Sequence, residues 1–453
     1  MTDSIAGLPF WDIVFDADGD PDPAARDALR AEVPAQGITD LYVFTHGWNN
    51  ERATARRLYN AFFGLLAGQL AADPRGRPGL AGVFWPAKRW SDEPIPDFGA
   101  APAALAGGAA AAVASPRAES PVLEPTLDTQ TLTDLLETFP DAKAPIERMA
   151  TLLATPPTAD TLGEFRTCLE EFATLAGTPD DDGESEDGIP PAQPRMLQDP
   201  PAELFLRYRD ALRDAGATLP SEPDGAAGIG DRLHDILNGA KEALRGATYW
   251  EMKNRAGVVG RNGLGPLLGV LAGVAPGVRV HLIGHSFGAR LVSYALDGLP
   301  AGVTCVKSVT LLQGAFSHFA FTSPLPFDAA RRGAIADRQH RVDGPVTVCF
   351  SRFDDAVGRF YPMASLAARD DAAAGHPLLW RWGGMGADGA QNADVTLDGI
   401  QPAGPGAHYR FAKGRILNVD CQEVVRRGGA PSGAHSDIVH PELTWIVLAA
   451  SRA

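Results

Sequence analysis

The chain has 453 residues, 45% hydrophobic and 21% charged, enough for one large domain with insertions or two to three smaller ones. A net charge of −16 repels polyanions, which excludes nucleic acid and an anionic membrane surface as principal partners. Met1 to Phe10 has neither a basic region nor an apolar core, so it is no secretory signal, and the alanine run from Ala100 to Ala114 is broken by Pro102 and two glycines, so no membrane span is expected.

Phe10 to Phe15 alternates and ends in Asp16-Ala-Asp-Gly-Asp20, a strand and a turn, followed by a short polar helix over Pro23 to Ala35. Ile38 to Thr45 is a second strand, closed by His46-Gly-Trp-Asn-Asn50. Helical spacing of apolar residues from Thr54 to Leu70 follows, then a strand over Leu80 to Trp85. From about Pro94 to Ala226 there is no convincing β-run. An Ala/Pro-rich piece precedes helix candidates at Thr131–Phe139, Pro145–Leu153, Thr161–Leu175 and Ala202–Ala215. The acidic Pro179 to Gly188 reads as a mobile loop whose spacing does not fit a calcium-binding template.

Another helix, Gly230–Tyr249, leads into Trp250 to Gly257. The glycines of Gly257 to Gly265 lack the preceding strand and the Gly-Lys-Ser/Thr of a phosphate loop, so they read as a loop or a tight helix crossing. After a helix over Pro266–Ala275, Val278 to Ile283 forms a buried strand. It runs into Gly284-His285-Ser286-Phe287-Gly288, and helical spacing resumes through Leu291, Val292 and Leu296. In a glycine-rich chain the pentapeptide is not specific by itself. Its strand–turn–helix setting is, because such a turn lifts a serine hydroxyl clear of the sheet. Further strands fall at Val306–Leu312, Pro345–Phe350 and Arg415–Val419, and a last helix at Pro441–Ala450. Strands alternating with helices predict a mainly parallel, twisted sheet covered on both faces, with a large, mostly helical insertion. The division expected is 1–93 and 230–453 for the core and 94–229 for the insertion, partly disordered and placed where a cap or lid is grafted.

A serine hydroxyl needs a base within hydrogen-bond reach, and that base needs an orienting acid. In an open sheet these sit at carboxyl ends of strands. Asp354 and Asp355 follow the strand ending at Phe350. His435 lies in the Gly/Pro loop after Val419, and its competitor His440 precedes Pro441 and suits a helix N-cap. The oxyanion of acyl transfer needs two backbone N–H donors. Phe287 supplies one. The His46-Gly47-Trp48 loop supplies the other, from Trp48 or alternatively Gly47, with His46 holding the loop rather than acting as a base.

These residues resemble an α/β-hydrolase fold serine hydrolase, of the bacterial esterase and lipase sort. The resemblance rests on His46 to Asn49, Gly284 to Arg290, Ser351 to Gly358 and Ala434 to Asp437, and covers about Phe10–Trp90 and Gly246–Ala453. It implies Ser286 as nucleophile, His435 as base and Asp354, rather than Asp355, as acid. The expected substrate is a small-molecule acyl ester. Thioesterase, acyltransferase and peptidase activities share the acyl-enzyme step, and a non-catalytic scaffold binding a protein partner through the insertion is the remaining alternative. No cofactor and no metal is expected: His281 and His285 stand on a strand and its turn rather than on one helical face. The cysteines Cys168, Cys305, Cys349 and Cys421 are far apart, and three lie in apolar runs. They read as buried hydrophobes in a reducing, cytoplasmic setting.

Overall fold

A computed structural model describes residues 3–87, 90, 124–176, 200–214, 229–360, 383–393, 395–402, 404–429 and 432–453. Nine strands form one sheet: β1 (Asp3–Ile5), β2 (Leu8–Val14), β3 (Asp40–Thr45), β4 (Pro78–Phe84), β5 (Arg279–His285), β6 (Val306–Leu312), β7 (Val346–Phe350), β8 (Val395–Ile400) and β9 (Ile416–Asp420). Their spatial order is β1-β2-β4-β3-β5-β6-β7-β9-β8. Only β1 is antiparallel, joined to β2 as an edge hairpin. The described helices are α1 (Pro23–Ala35), α2 (Arg52–Ala72), α3 (Thr129–Thr138), α4 (Lys143–Leu153), α5 (Ala159–Leu175), α6 (Pro201–Asp214), α7 (Ile229–Val258), α8 (Gly265–Val274), α9 (Phe287–Gly298) and α10 (Pro441–Ser451), besides shorter turns.

The period-2 alternation of the strands builds two cores. Leu41 and Val43 of β3, with Val280 and Leu282 of β5, face one side and pack with α1, α7, α8 and α9. Tyr42 and Phe44, with Ile283, face the other and pack with α2 and α10. Tyr42 Oη and Ser451 Oγ, 3.0 Å apart, tie β3 to the end of α10. The mixed α/β class with helices on both faces therefore follows the pattern of the sequence. The two strands absent from the sequence reading are β1, three residues long, and β8, an edge strand interrupted by Asp398 and Gly399.

Among the described residues the segment between β4 and β5 holds helices α3 to α8 and their connecting turns, and no strand. Phe139, Phe165, Phe172 and Phe205 of this segment are buried in the same core as Leu244 and Met252 of α7. The Ala100–Ala114 run and the acidic Pro179–Gly188 segment lie outside the described residues.

Gly257 to Gly265 is neither loop nor phosphate cradle. α7 continues through a widened π-helical turn, Val259–Leu264, into α8. Here the glycines let helices touch: a Cβ at Gly260 would overlap Leu291 O, and one at Gly265 would lie 2.6 Å from Ala295 O, both on α9. Close packing overrides the glycine helix penalty of about 1 kcal/mol per residue. The path Ile236–Val274 is long and apolar enough to cross a bilayer by length and composition, and just over half of its most apolar window is buried inside the protein. The four cysteines are free and buried.

Candidate active site

β5 ends in the Gly-His-Ser-Phe-Gly turn, and α9 begins one residue after Ser286. Ser286 has φ +58° and ψ −123°, a backbone that L-residues rarely adopt. Both glycines of the turn are sterically required. A Cβ at Gly284 would collide with Gly288 O and lie 2.5 Å from Ala289 Cα, and one at Gly288 would overlap Thr45 O. The strain is held by hydrogen bonds. Ser286 N–H donates to Leu312 O at 3.1 Å, and Ser286 O accepts from Ala289 N–H at 3.0 Å and Ala315 N–H at 3.2 Å.

β3 is the hydrogen-bonded neighbour of β5, with Thr45 opposite Gly284. This register delivers the loop after β3 onto the serine. Gly47 lies so close that an added Cβ would stand 2.5 Å from Ser286 Cβ and 3.0 Å from its Oγ. Two residues on, Asn49 has a left-handed backbone (φ +62°), and its Oδ1 accepts a hydrogen bond from Trp90 N–H. His46 donates Nδ1–H to Gly47 O at 2.9 Å, accepts Trp85 Nε1–H on its own carbonyl at 3.1 Å and stacks on the Trp85 ring. Burial pushes its pKa down to about 4, so His46 is a neutral strut. The holding role expected of it fits these contacts.

The N–H groups of Trp48 and Phe287 have no hydrogen-bond partner among the described residues. Phe287 is the first residue of α9, where backbone donors are unpaired and the helix field favours negative charge. Their side chains share one aromatic cluster with Tyr249 of α7, whose ring centroid lies 5.3 Å from Trp48 and 4.6 Å from Phe287. A helix that follows the insertion thus braces the loop beside the serine.

β7 and β9 are neighbours, with Phe350 opposite Asp420, so the loops that follow them meet. Asp354 and Gly433 form an isolated antiparallel bridge. Ala434 N–H donates to Phe353 O at 2.7 Å, and Ala356 N–H to Ser432 O at 3.2 Å. Gly433 needs its left-handed φ of +61° in that bridge, and a Cβ there would meet Phe353 O at 2.5 Å. The result is a 2.8 Å contact from His435 Nδ1 to Asp354 Oδ2, while Asp354 Oδ1 accepts Val357 N–H at 2.9 Å. Asp354 is buried; Asp355 lies beside Gly433 instead, its Oδ2 2.6 Å from where a Cβ would stand. A carboxylate only accepts, so His435 carries its proton on Nδ1 and leaves Nε2 bare. No hydrogen bond joins Ser286 Oγ to His435 among the described residues; such contacts are commonly long before substrate binds.

His285 also belongs to this group. Its Nε2 lies 2.9 Å from His435 O, and the two rings are 4.9 Å apart. The carbonyl only accepts, so Nε2 bears the proton, and burial together with the neighbouring His435 pushes the pKa down to about 3. His440 occupies the N-cap of α10, as its position before Pro441 predicts, and pairs with Asp437 at 2.8 Å.

A second Ser–His–Asp set was not legible in the sequence. His281 of β5 has Nε2 3.1 Å from Asp40 Oδ1 and Nδ1 2.9 Å from Ser308 Oγ. All three are buried within strands β3, β5 and β6, near their amino ends rather than beyond the carboxyl ends. The ring is also reversed, presenting Nδ1 rather than Nε2 to the serine. Polar residues breaking apolar strands at Asp40, His281 and Ser308 were the available signal. No group of three or more metal-ligating side chains occurs among the described residues. Comparison with family models, curated proteins and solved structures gives no match to the chain.

Proposed function

We propose that the chain is a serine hydrolase of the α/β-hydrolase fold that cleaves a carboxylic ester through an acyl-enzyme on Ser286. The observation that carries this reading is the left-handed backbone of Ser286 at the start of α9. A strained strand-to-helix turn is the setting of the nucleophile in that fold, with oxyanion donors from the next residue and from the loop after the third strand. The partnerless N–H groups of Phe287 and Trp48 fit those roles, and Gly47 is the alternative donor. The chain order Ser286, Asp354, His435 also fits.

In this mechanism His435 Nε2 removes the hydroxyl proton as Ser286 Oγ attacks the ester carbonyl. The oxyanion accepts hydrogen bonds from Trp48 and Phe287, and Asp354 stabilises the imidazolium. Collapse breaks the bond to the leaving alkoxide, which takes the proton from His435. Water, deprotonated by His435, then hydrolyses the acyl-enzyme and regenerates Ser286. No step requires a metal or organic cofactor.

A fluorophosphonate probe tests the reading. Covalent labelling of the folded protein that is lost in Ser286→Ala supports it, together with hydrolysis of p-nitrophenyl butyrate. Folded wild-type protein that neither labels nor turns over p-nitrophenyl or thioester substrates rules it out. A chain-length series of esters beside acyl thioesters separates esterase from thioesterase.

A further inference from the structure

Gln313 is the residue immediately after β6, one strand over from the serine turn. Its side chain is fully buried, and its backbone has φ +48°, left-handed in a residue that gains nothing from that conformation. Contacts from β7 and from the turn at Gly386 clamp it there. Gln313 N–H donates to Cys349 O of β7 at 3.0 Å, and Gly386 N–H donates to Gly314 O at 2.8 Å. Gly386 itself packs so tightly that an added Cβ would stand 2.6 Å from Gln313 C. A left-handed non-glycine residue, fully buried beside a candidate site, is a place to look for a role.

The side chain is directed at the acid. Gln313 Nε2 lies 3.4 Å from Asp354 Oδ2, the same oxygen that accepts His435 Nδ1–H at 2.8 Å. It is the longer and weaker of the two contacts. Gln313 Oε1 is buried with no hydrogen-bond partner. Rotating the amide to exchange its ends would bring Oε1 against a carboxylate oxygen, acceptor on acceptor, so the contact with Asp354 sets the orientation. The titratable groups around the carboxylate are His435, Asp355 in the same turn, and His285 behind His435.

We propose that Gln313 is a positioning residue that acts on the reaction through Asp354. Its amide N–H holds Oδ2 in line with His435 Nδ1 and withdraws charge from that oxygen, limiting how basic the Asp354–His435 pair becomes. The inference rests on the serine-hydrolase reading. The other ties on Asp354 are the Val357 N–H in its own turn and, from the loop after β9, the His435 ring and the backbone bridge to Gly433, so Gln313 is the side-chain contact that reaches the carboxylate from the end of β6. Without it Asp354 keeps its bond to His435 but loses its lateral restraint and a share of its charge screening.

The test uses the full-length protein with Gln313→Met, which keeps bulk and removes both amide groups, and Gln313→Glu, which keeps shape but sets a carboxylate against Asp354. For Gln313→Met the expected result is kcat for p-nitrophenyl butyrate about tenfold lower with KM unchanged, since small misplacement of a catalytic group costs rate rather than binding. The acid limb of the kcat/KM profile moves to higher pH, because the imidazolium beside a less screened carboxylate is harder to deprotonate. Gln313→Glu loses more at pH 7, and part of that loss is recovered at lower pH as the carboxylate pair takes up a proton. A purely packing role lowers the melting temperature without moving the acid limb.

A second readout is independent of turnover: the downfield proton resonance of His435 Nδ1–H. It shifts or broadens in both Gln313 variants if the amide restrains Asp354. Labelled, active wild type together with variants of unchanged kcat, acid limb and resonance overturns the proposal and leaves the hydrolase reading intact. If wild type is inert to probe and substrate, the hydrolase reading fails, and the resonance alone decides whether Gln313 positions Asp354.

Discussion

His435 Nδ1 stands 2.8 Å from Asp354 Oδ2, and this contact determines which imidazole nitrogen keeps a free lone pair. A neutral imidazole that donates from Nδ1 has a lone pair only on Nε2. The pairing depends on backbone more than on side chains. The bridge between Asp354 and Gly433 and the 2.7 Å bond from Ala434 N–H to Phe353 O fix the two loops against each other.

Asp354→Asn and Asp355→Asn should therefore differ sharply. An amide at 354 can present its NH₂ to the ring, reversing the tautomer and placing the proton on Nε2. Loss of kcat by about 10³–10⁴-fold is expected with the fold retained. Asp355→Asn, off the His435 axis, should stay within about threefold of wild type. Steady-state kinetics on the two variants decide it, and equal losses would remove Asp354 from the role.

Ser286 and Ser308 each belong to a Ser–His–Asp set, and only Ser286 should react. Ser308 Oγ touches His281 Nδ1, yet it is buried inside β6 near the amino end of the strand. Its network ties β3, β5 and β6 together through Asp40, which also pairs with Arg279. Ser308→Ala should keep full fluorophosphonate labelling while lowering stability by about 1–3 kcal/mol, because His281 Nδ1 loses its buried donor. Mass spectrometry of the labelled peptide gives the answer directly. A probe found on Ser308 would reverse the assignment.

The positions of Ser286, Asp354 and His435 were legible because each follows an apolar strand closed by glycine, serine or proline punctuation. The choice of Asp354 over Asp355 came from resemblance, and its physical basis lies in the Gly433 bridge, which no local pattern announces. Gln313 was invisible for a related reason. Its meeting with Asp354 depends on β6 and β7 being neighbours, and pairing of strands 30 to 40 residues apart leaves no periodicity to read. Gly257 to Gly265 left a loop and a tight helix crossing both open because glycine weighs against helix locally; the crossing is what forms, and there the glycines serve the close approach of Leu291 and Ala295. Short or edge strands such as β1 and β8 carry too few apolar residues to stand out.

Ser286 should be less stable than glycine at the same position. Its φ of +58° and ψ of −123° lie in a region open to glycine and costly to residues with a Cβ, by about 1–3 kcal/mol. Ser286→Gly should abolish labelling while raising the melting temperature above that of Ser286→Ala, which removes the hydroxyl but retains the strained Cβ. Calorimetry on the pair isolates the backbone contribution. Identical melting temperatures would mean that the turn stores no strain.

Acid should weaken the fold before any carboxylate is involved. His46 and His285 have pKa values pushed by burial to about 4 and about 3, against an ordinary value near 6.5 in the unfolded chain. Below pH 6.5 the unfolded state takes up protons that these two native imidazoles refuse, so their contribution is complete above pH 6.5 and is lost as pH falls toward the folded values. Between pH 7 and pH 5.5 each histidine should remove about 1 kcal/mol, and His281, also held down by burial, acts in the same direction. Asp40 and Asp437 oppose nothing in this window. Their partners hold them below 3.8, so their stabilisation is lost only at still lower pH. Urea titrations at pH 7 and pH 5.5 should show unfolding free energy falling by about 2–3 kcal/mol. His285→Gln, which can still donate to His435 O from Nε2 but cannot ionise, should flatten that dependence by about one histidine's share. Equal stability of the wild type at the two pH values would show that His46 and His285 are not held neutral by the fold.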